Sequence, residues 1–249
     1  AGLEKFINLD MGGTSSDVSR YSGSFAYQSS HSVGDARVAN IALRIETVAA
    51  GGGSICRIEN GLLRVGPESA GAYPGPACYG FGGPFCLTDV NLLLGRLDPS
   101  RFSTPVVESA ARARLDELVE ESGRSAEDLL HGFLAVADDA MANAIRKVSV
   151  AEGYDPSDHA LVSFGGAGGQ HACGVAERLG MKKILSPGDS GLLSAYGLSQ
   201  ARLERISEQS VLLPLDEPSI SSIEQDLIKD AVKRVPHANA KVAVKYAFV

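Results

Sequence analysis

Residues 6–21, FINLDMGGTSSDVSRY, leave the backbone few options. Phe6 to Leu9 is apolar enough for a strand, and Val18 to Tyr21 alternates like a half-buried one, so the residues between them must reverse the chain. Gly12 and Gly13 admit positive φ and close approach by another backbone. Thr14, Ser15 and Ser16 place hydroxyls at the turn, flanked by the carboxylates of Asp10 and Asp17. Two readings follow: an ordinary hairpin tip, or a cradle for the phosphates of a nucleotide.

Glycine is the compositional outlier, with 28 residues gathered into clusters at 12–13, 51–53, 82–83, 165–166 and 168–169. Residues 22–105 read as short β-like runs broken by Gly and Pro, with no sustained helix. Within them RVGPESAGAYPGPACYGFGGP, from Arg64 to Pro84, describes an ordered, irregular loop, which is either functional or a plug over one end of the core.

From Pro105 the pattern turns helical. Val107 to Glu121 is rich in Ala, Arg and Glu. A capping box from Ser125 to Asp128 then opens a long helix, ending near Gly153, whose apolar face is Leu130, Phe133, Leu134, Ala137, Met141, Ala144, Ile145 and Val148. Asn143 and Arg146 fall on its polar side. A strand from Ala160 to Phe164 enters the turn GGAGGQ, a helix follows to Gly180, and Lys182 to Leu185 is another strand. SGLLSAYGL, from Ser190 to Leu198, reads as a short helix whose small residues let another helix pack closely. The tail holds a helix from Ile220 to Lys233 and an alternating strand from Val242 to Phe248.

Strand, glycine turn and helix together present free N–H groups and a positive helix end, which suit an anionic or nucleotide ligand. FGGAGGQH is not a Walker A loop, because no Gly-Lys-Ser/Thr follows. It is not a dinucleotide fingerprint either, because His171 stands at the third glycine position. His171 either orders the helix start or takes part in chemistry.

The 249 residues, 44% hydrophobic and 21% charged, suit a globular chain of one large or two small domains. A net charge of −7 argues against nucleic acid or an anionic membrane as partner. No apolar run approaches the roughly 18–20 residues that a membrane span needs. Cys56, Cys78, Cys86 and Cys173 are scattered without a CxxC, so neither a zinc ribbon nor a disulfide framework is indicated and the reducing cytoplasm is the expected location.

The hairpin, FGGAGGQHACGVAERLG and SGLLSAYGL resemble, in that order, the second phosphate loop, adenosine loop and second connecting helix of actin-like ATPases. Thr14 replaces one glycine of the phosphate loop. More narrowly, DMGGTSSDVSRY, TVAAGGGS, VGPESAGAYPGPACYG, LTDVNLLLGRLDP and FGGAGGQHAC resemble the hydantoinase A/5-oxoprolinase family over roughly residues 5 to 200, leaning towards 5-oxoprolinase. The resemblance implies an α/β fold: an actin-like (ribonuclease H-like) ATPase lobe at 1–200, with a mixed sheet and packed helices. Within it lie a Gly/Pro-rich insertion at 22–105, a helical segment at 106–153 and the adenosine loop at 160–180. Residues 201–249 would begin a following, truncated segment.

The implied activity is ATP-dependent ring opening of a cyclic amide such as 5-oxoproline or a hydantoin, by phosphorylation of the amide carbonyl. Gly12, Gly13, Thr14 and Ser15 would hold phosphates. Asp10 would hold Mg²⁺ through its water shell, and Asp17 would act in catalysis or fix the hairpin. Gly165, Gly166, Gly168, Gly169 and Gln170 would face the adenosine. Gly52, Gly53 and Asp89 would complete the cleft wall, although Asp89 also suits a cap on a helix over Val90 to Leu94. Glu46 stands where relatives carry His or Asn, and is either catalytic or a plain strand residue. The first phosphate hairpin is not recognised, so the chain is expected to be a fragment, inactive alone, that works with the first lobe of its own polypeptide, a hydantoinase B-type partner and further copies. A phosphotransferase and a nucleotide-gated regulatory module are the alternatives.

Overall fold

The computed structural model describes residues 2–33, 36–102, 105–201, 207, 209–211, 214 and 219–233. Residues 1–196 and 197–249 form two compact units. In the first, β1 (Lys5–Met11) and β2 (Ser16–Ser22) make the antiparallel hairpin, with Asp10 directly opposite Asp17. Next come the two-stranded sheet of β3 (Tyr27–Val33) and β4 (Ala36–Leu43), the short β5 (Glu46–Val48), and a second two-stranded sheet of β6 (Ser54–Glu59) and β7 (Leu62–Ser69). Helices α1 (Leu87–Leu93), α2 (Glu108–Ser122) and α3 (Ala126–Val148) follow, then β8 (Ala160–Phe164), α4 (Gly168–Arg178), β9 (Ile184–Leu185) and α5 (Leu193–Gln200). In the second unit α6 spans Ser219–Lys233.

The main sheet runs β5-β2-β1-β8-β9, antiparallel on the β2 side and parallel from β1 through β9. Strand alternation sends Ile7, Leu9 and Met11 to one face of β1, where all three are fully buried, and leaves Asn8 and Asp10 on the other, half-buried. Phe133, Met141 and Ile145 of α3 complete that core with Val18 of β2. All eight residues of the apolar face expected for α3 are buried, and Ser125 caps the helix by accepting from the Asp128 N–H at 3.1 Å. This is the 3.6-residue stripe matched to a sheet face.

Two expectations change. The insertion contains a true helix, α1, which begins before Val90 because Cys86 and Asp89 form a reciprocal cap around its first turn. The small-residue helix α5 buries none of its residues among the described ones, and Leu192, Tyr196 and Leu198 are 69%, 62% and 78% exposed. The strand expected at 242–248 lies outside the described residues.

Candidate functional site

The hairpin tip is closed by the Gly12 N–H donating to the Ser15 carbonyl at 3.0 Å. Its orientation is set from behind. The Gly52 N–H donates to the Gly12 carbonyl at 3.0 Å, and the Gly53 N–H to the Gly13 carbonyl at 2.6 Å. In a planar trans peptide the C=O and N–H point in opposite directions. Tying back those two carbonyls therefore turns the N–H groups of Gly13 and Thr14 outward, and neither has a hydrogen-bond partner among the described residues. Two successive outward N–H groups on an exposed tip are the type of donor pair from which backbone anion sites are built.

The backing segment is closely packed against the hairpin, most tightly at Gly51. A Cβ on Gly51 would sit 2.6 Å from the Thr14 N, one on Gly52 2.8 Å from the Thr88 Oγ1, and one on Gly53 3.0 Å from the Gly13 carbonyl. Gly52 and Gly53 are buried behind the hairpin with both N–H groups committed, so they support its tip from behind. That corrects their expected place on the cleft wall.

Asp10 lies at the carboxyl end of β1, level with Phe164 at the end of parallel β8. Ligands in open α/β sheets gather at such strand ends. Its Oδ2 accepts from the Ser194 Oγ at 2.8 Å, and its Oδ1 would be 2.6 Å from a Cβ on Gly165, where φ is +83°. The Ala167 N–H donates to the Met11 carbonyl at 3.0 Å, pinning the glycine turn to the hairpin strand. Gly165 thus abuts Asp10 and also lines an open cavity of about 550 Å³, with Gly166, Gly169 and Gln170 at the start of α4 and with Arg96 and Phe102 opposite. That volume suits a small organic ligand. Gly168 instead packs inward, where a Cβ would meet the Ser163 Oγ at 2.8 Å. The single carboxylate of Asp10 is a donor that suits Mg²⁺, which keeps several waters and takes one or two carboxylates together with substrate phosphates.

The other carboxylates lie elsewhere. Asp17 accepts from the Thr47 Oγ1 at 2.6 Å, which fastens β2 to β5. Glu46, on the edge strand β5, pairs with Lys147 of α3. Asp89 is fully buried: Oδ1 accepts from the Cys78 N–H at 2.7 Å, and Oδ2 from Ala77 at 3.0 Å and Cys86 at 2.8 Å. Burial pushes its carboxyl above the usual range while these hydrogen bonds pull it back. Asp89 therefore caps α1 and fastens the Gly/Pro loop, with no place on the cleft wall. Asp89→Ala, which leaves three backbone N–H groups without their acceptor, is expected to cost about 3 kcal/mol or more; a urea midpoint equal to wild type would contradict this. Burial, reinforced by the Asp89 charge, also pushes the Cys86 thiol up to about 12, so it is not a nucleophile.

Sequence reasoning assigned no role to Arg96, Phe102, Thr88 or Ser194. Arg96 and Phe102 follow α1 and line the cavity, where Arg96 Nη1 donates to the Gln170 carbonyl at 2.7 Å. For Thr88 and Arg96 the phrase LTDVNLLLGRLDP was the available signal, without a geometry to interpret it.

A family model described as Hydantoinase/oxoprolinase matches residues 1–207. A 5-oxoprolinase of Pestalotiopsis fici is 48% identical over 212 residues, which cover 80% of this chain and 16% of that protein. The structure of ATP-dependent caprolactamase from Pseudomonas jessenii superposes with a TM-score of 0.77 at 32% identity, covering 93% of this chain and 35% of that one. Nucleotide-free acetone carboxylase superposes with a TM-score of 0.75 at 24% identity, covering 94% and 36%, a likeness of fold alone. The fold is that of an actin-like ATPase lobe. The chain spans less than a fifth of the length of the 5-oxoprolinase. With 207 of its 249 residues matched, and with the hairpin, glycine triplet and α4 turn assembled on one sheet, the chain belongs to the hydantoinase/oxoprolinase family.

Proposed function

We propose that this chain forms the second half of an ATP-binding cleft in an enzyme that opens a cyclic amide ring. The observation that carries the reading is the pair of outward N–H groups at Gly13 and Thr14, locked from behind on the same hairpin whose Asp10 abuts Gly165 of the cavity lining. In this reading those N–H groups, with the hydroxyls of Thr14 and Ser15, hold phosphate oxygens, and Asp10 holds Mg²⁺ through its water shell. Gly165, Gly166 and Gly169 let the adenosine lie against backbone, with Gln170, Arg96 and Phe102 around it. The bound metal supplies charge neutralisation during phosphoryl transfer.

An amide is a poor electrophile. Transfer of the γ-phosphoryl to the carbonyl oxygen, with ADP leaving, gives an activated imidate; one water adds to its carbon and the C–N bond breaks as the ring nitrogen takes a proton, which leaves an acyl phosphate, and a second water then releases inorganic phosphate and the carboxylate. The names of the relatives, 5-oxoprolinase and caprolactamase, share the lactam ring, which makes a lactam or hydantoin the proposed substrate class. The first lobe, a hydantoinase B-type partner and other copies would lie outside this chain. The buried, unpaired Cys56, Cys78 and Cys86 fit the reducing cytoplasm, and no helix among the described residues is long and apolar enough to cross a membrane.

The test is coupled ATP turnover by the complete protein with 5-oxoproline, hydantoin and caprolactam, alongside detection of the opened product. Stimulation by at least one ring, with ring opening, is expected. Failure of all three to stimulate would overturn the amidohydrolase reading, and a stable phosphorylated product with an intact ring would make the protein a kinase.

A further inference from the structure

The two halves of the site meet through α1. Thr88 and Asn91 are three residues apart and share one face of this helix. The Thr88 arm reaches the hairpin: its N–H and its Oγ1 both donate to the Gly52 carbonyl at 2.8 Å. The same peptide then donates through the Gly53 N–H to the Gly13 carbonyl, and the next peptide presents the outward Thr14 N–H. Hydrogen bonds in series along aligned peptides polarise one another, so the outermost donor is strengthened as well as aimed.

The Asn91 arm reaches α4. Asn91 Nδ2 donates to the Leu87 carbonyl at 3.1 Å and lies 2.9 Å from the His171 Nε2. A carbonyl accepts only, which fixes the amide orientation and makes Nε2 the acceptor. The other ring nitrogen, Nδ1, then carries the proton and donates to the Asp138 Oδ1 of α3 at 2.7 Å. Asp138 Oδ2 receives Arg178 Nη1 at 3.2 Å, and this oxygen lies where a Cβ on Gly174 would intrude at 2.1 Å, so α3 and α4 pack as closely as the glycine allows. His171 and Asn91 are 0% and 1% exposed, and neither lines the cavity.

We infer that α1 is a brace that sets the separation between the phosphate hairpin and the glycine turn of α4, with His171 as its joint. His171 is then a positioning residue for nucleotide binding, acting through Asn91 and not by touching the ligand. Gln and Asn separate its two bonds. His171→Gln leaves an acceptor near the Nε2 position and so keeps the link to α1, whereas His171→Asn leaves a donor near the Nδ1 position and keeps only the link to Asp138. A residue that served only core stability would lower affinity in proportion to lost stability, whichever bond was removed.

The inference rests on the nucleotide reading of the site for one of its two readouts. In the complete protein, titration with Mg²⁺ and the non-hydrolysable analogue adenylyl imidodiphosphate is expected to show about tenfold weaker binding for His171→Asn, and binding within about twofold of wild type for His171→Gln. Amide exchange at Gly52 and Gly53 without nucleotide is expected to quicken about tenfold in His171→Asn and to stay near wild type in His171→Gln. Asn91→Leu keeps the volume, removes the same arm, and is expected to behave like His171→Asn, which provides a second route if the histidine variants fold poorly. Equal loss in both histidine variants, no loss in either, or the reverse ranking overturns the brace. If the wild type binds no analogue, the nucleotide reading fails, while exchange at Gly52 and Gly53 still decides the brace.

Discussion

Asp10→Asn is expected to lower ATP turnover of the complete enzyme by at least about 10²-fold without lowering thermal stability. The side chain is nearly isosteric, and its remaining oxygen can still accept from the Ser194 Oγ, which supplies 2.8 Å of support to the native carboxylate. What disappears is one negative charge on the hairpin strand next to Gly165, the charge proposed to hold Mg²⁺. Asp10 stands directly across the ladder from Asp17, and like charges so placed repel. In the native protein the two are turned to different donors, Ser194 and Thr47. Removing one charge relieves this repulsion, so activity and melting temperature are expected to part company. Turnover as a function of Mg²⁺ concentration and a thermal melt measure both; wild-type turnover in the variant would remove Asp10 from the site.

Gly51→Ala carries the second large effect, and its cause is steric. The added methyl would lie 2.6 Å from the N and C of Thr14 and 2.7 Å from the Gly13 C. These are backbone atoms, so no rotamer change relieves the overlap, and the hairpin tip must move. Displacement of about 1 Å at a phosphate cradle is expected to weaken analogue binding by roughly 10²-fold, with a stability loss of about 1–3 kcal/mol from overpacking. Gly188→Ala is the control, because a Cβ there meets nothing within 4 Å. If Gly51→Ala binds the nucleotide analogue as wild type does, the triplet is not what aims the hairpin.

Both effects turn on glycines, and the glycines divide by how far their reason for being glycine lies along the chain. Gly12 sits in a turn whose strands are visible on either side. Gly51, Gly52 and Gly53 are glycine because of Thr14, Thr88 and the Gly13 carbonyl, and Gly165 because of the Met11 carbonyl and Asp10. From the sequence, all of them look like parts of loops around a ligand. In the folded protein, the triplet is a buried backing and Gly165 is the wall shared by Asp10 and the cavity.

Local physics made much of the chain legible before folding. The apolar run of Phe6 to Leu9 marks β1, the 3.6-residue stripe from Leu130 to Val148 marks α3, and Ser125 with Asp128 marks its start, because each signal acts within a turn or a strand. The order of the glycine motifs was sufficient to resemble the family. The functions of the polar residues were decided only by tertiary structure. Asp89 serves three N–H groups on the Gly/Pro loop, Glu46 serves Lys147 a hundred residues away, and His171 serves Asn91 and Asp138 on two other helices. A buried polar side chain takes whichever partner packing brings within hydrogen-bond reach, and over such separations no spacing rule announces that partner. Apart from α1, whose start depends on a cap buried by the fold, the main helices and the hairpin of this protein were therefore legible within the sequence, and which partner each carboxylate takes was decided by the fold.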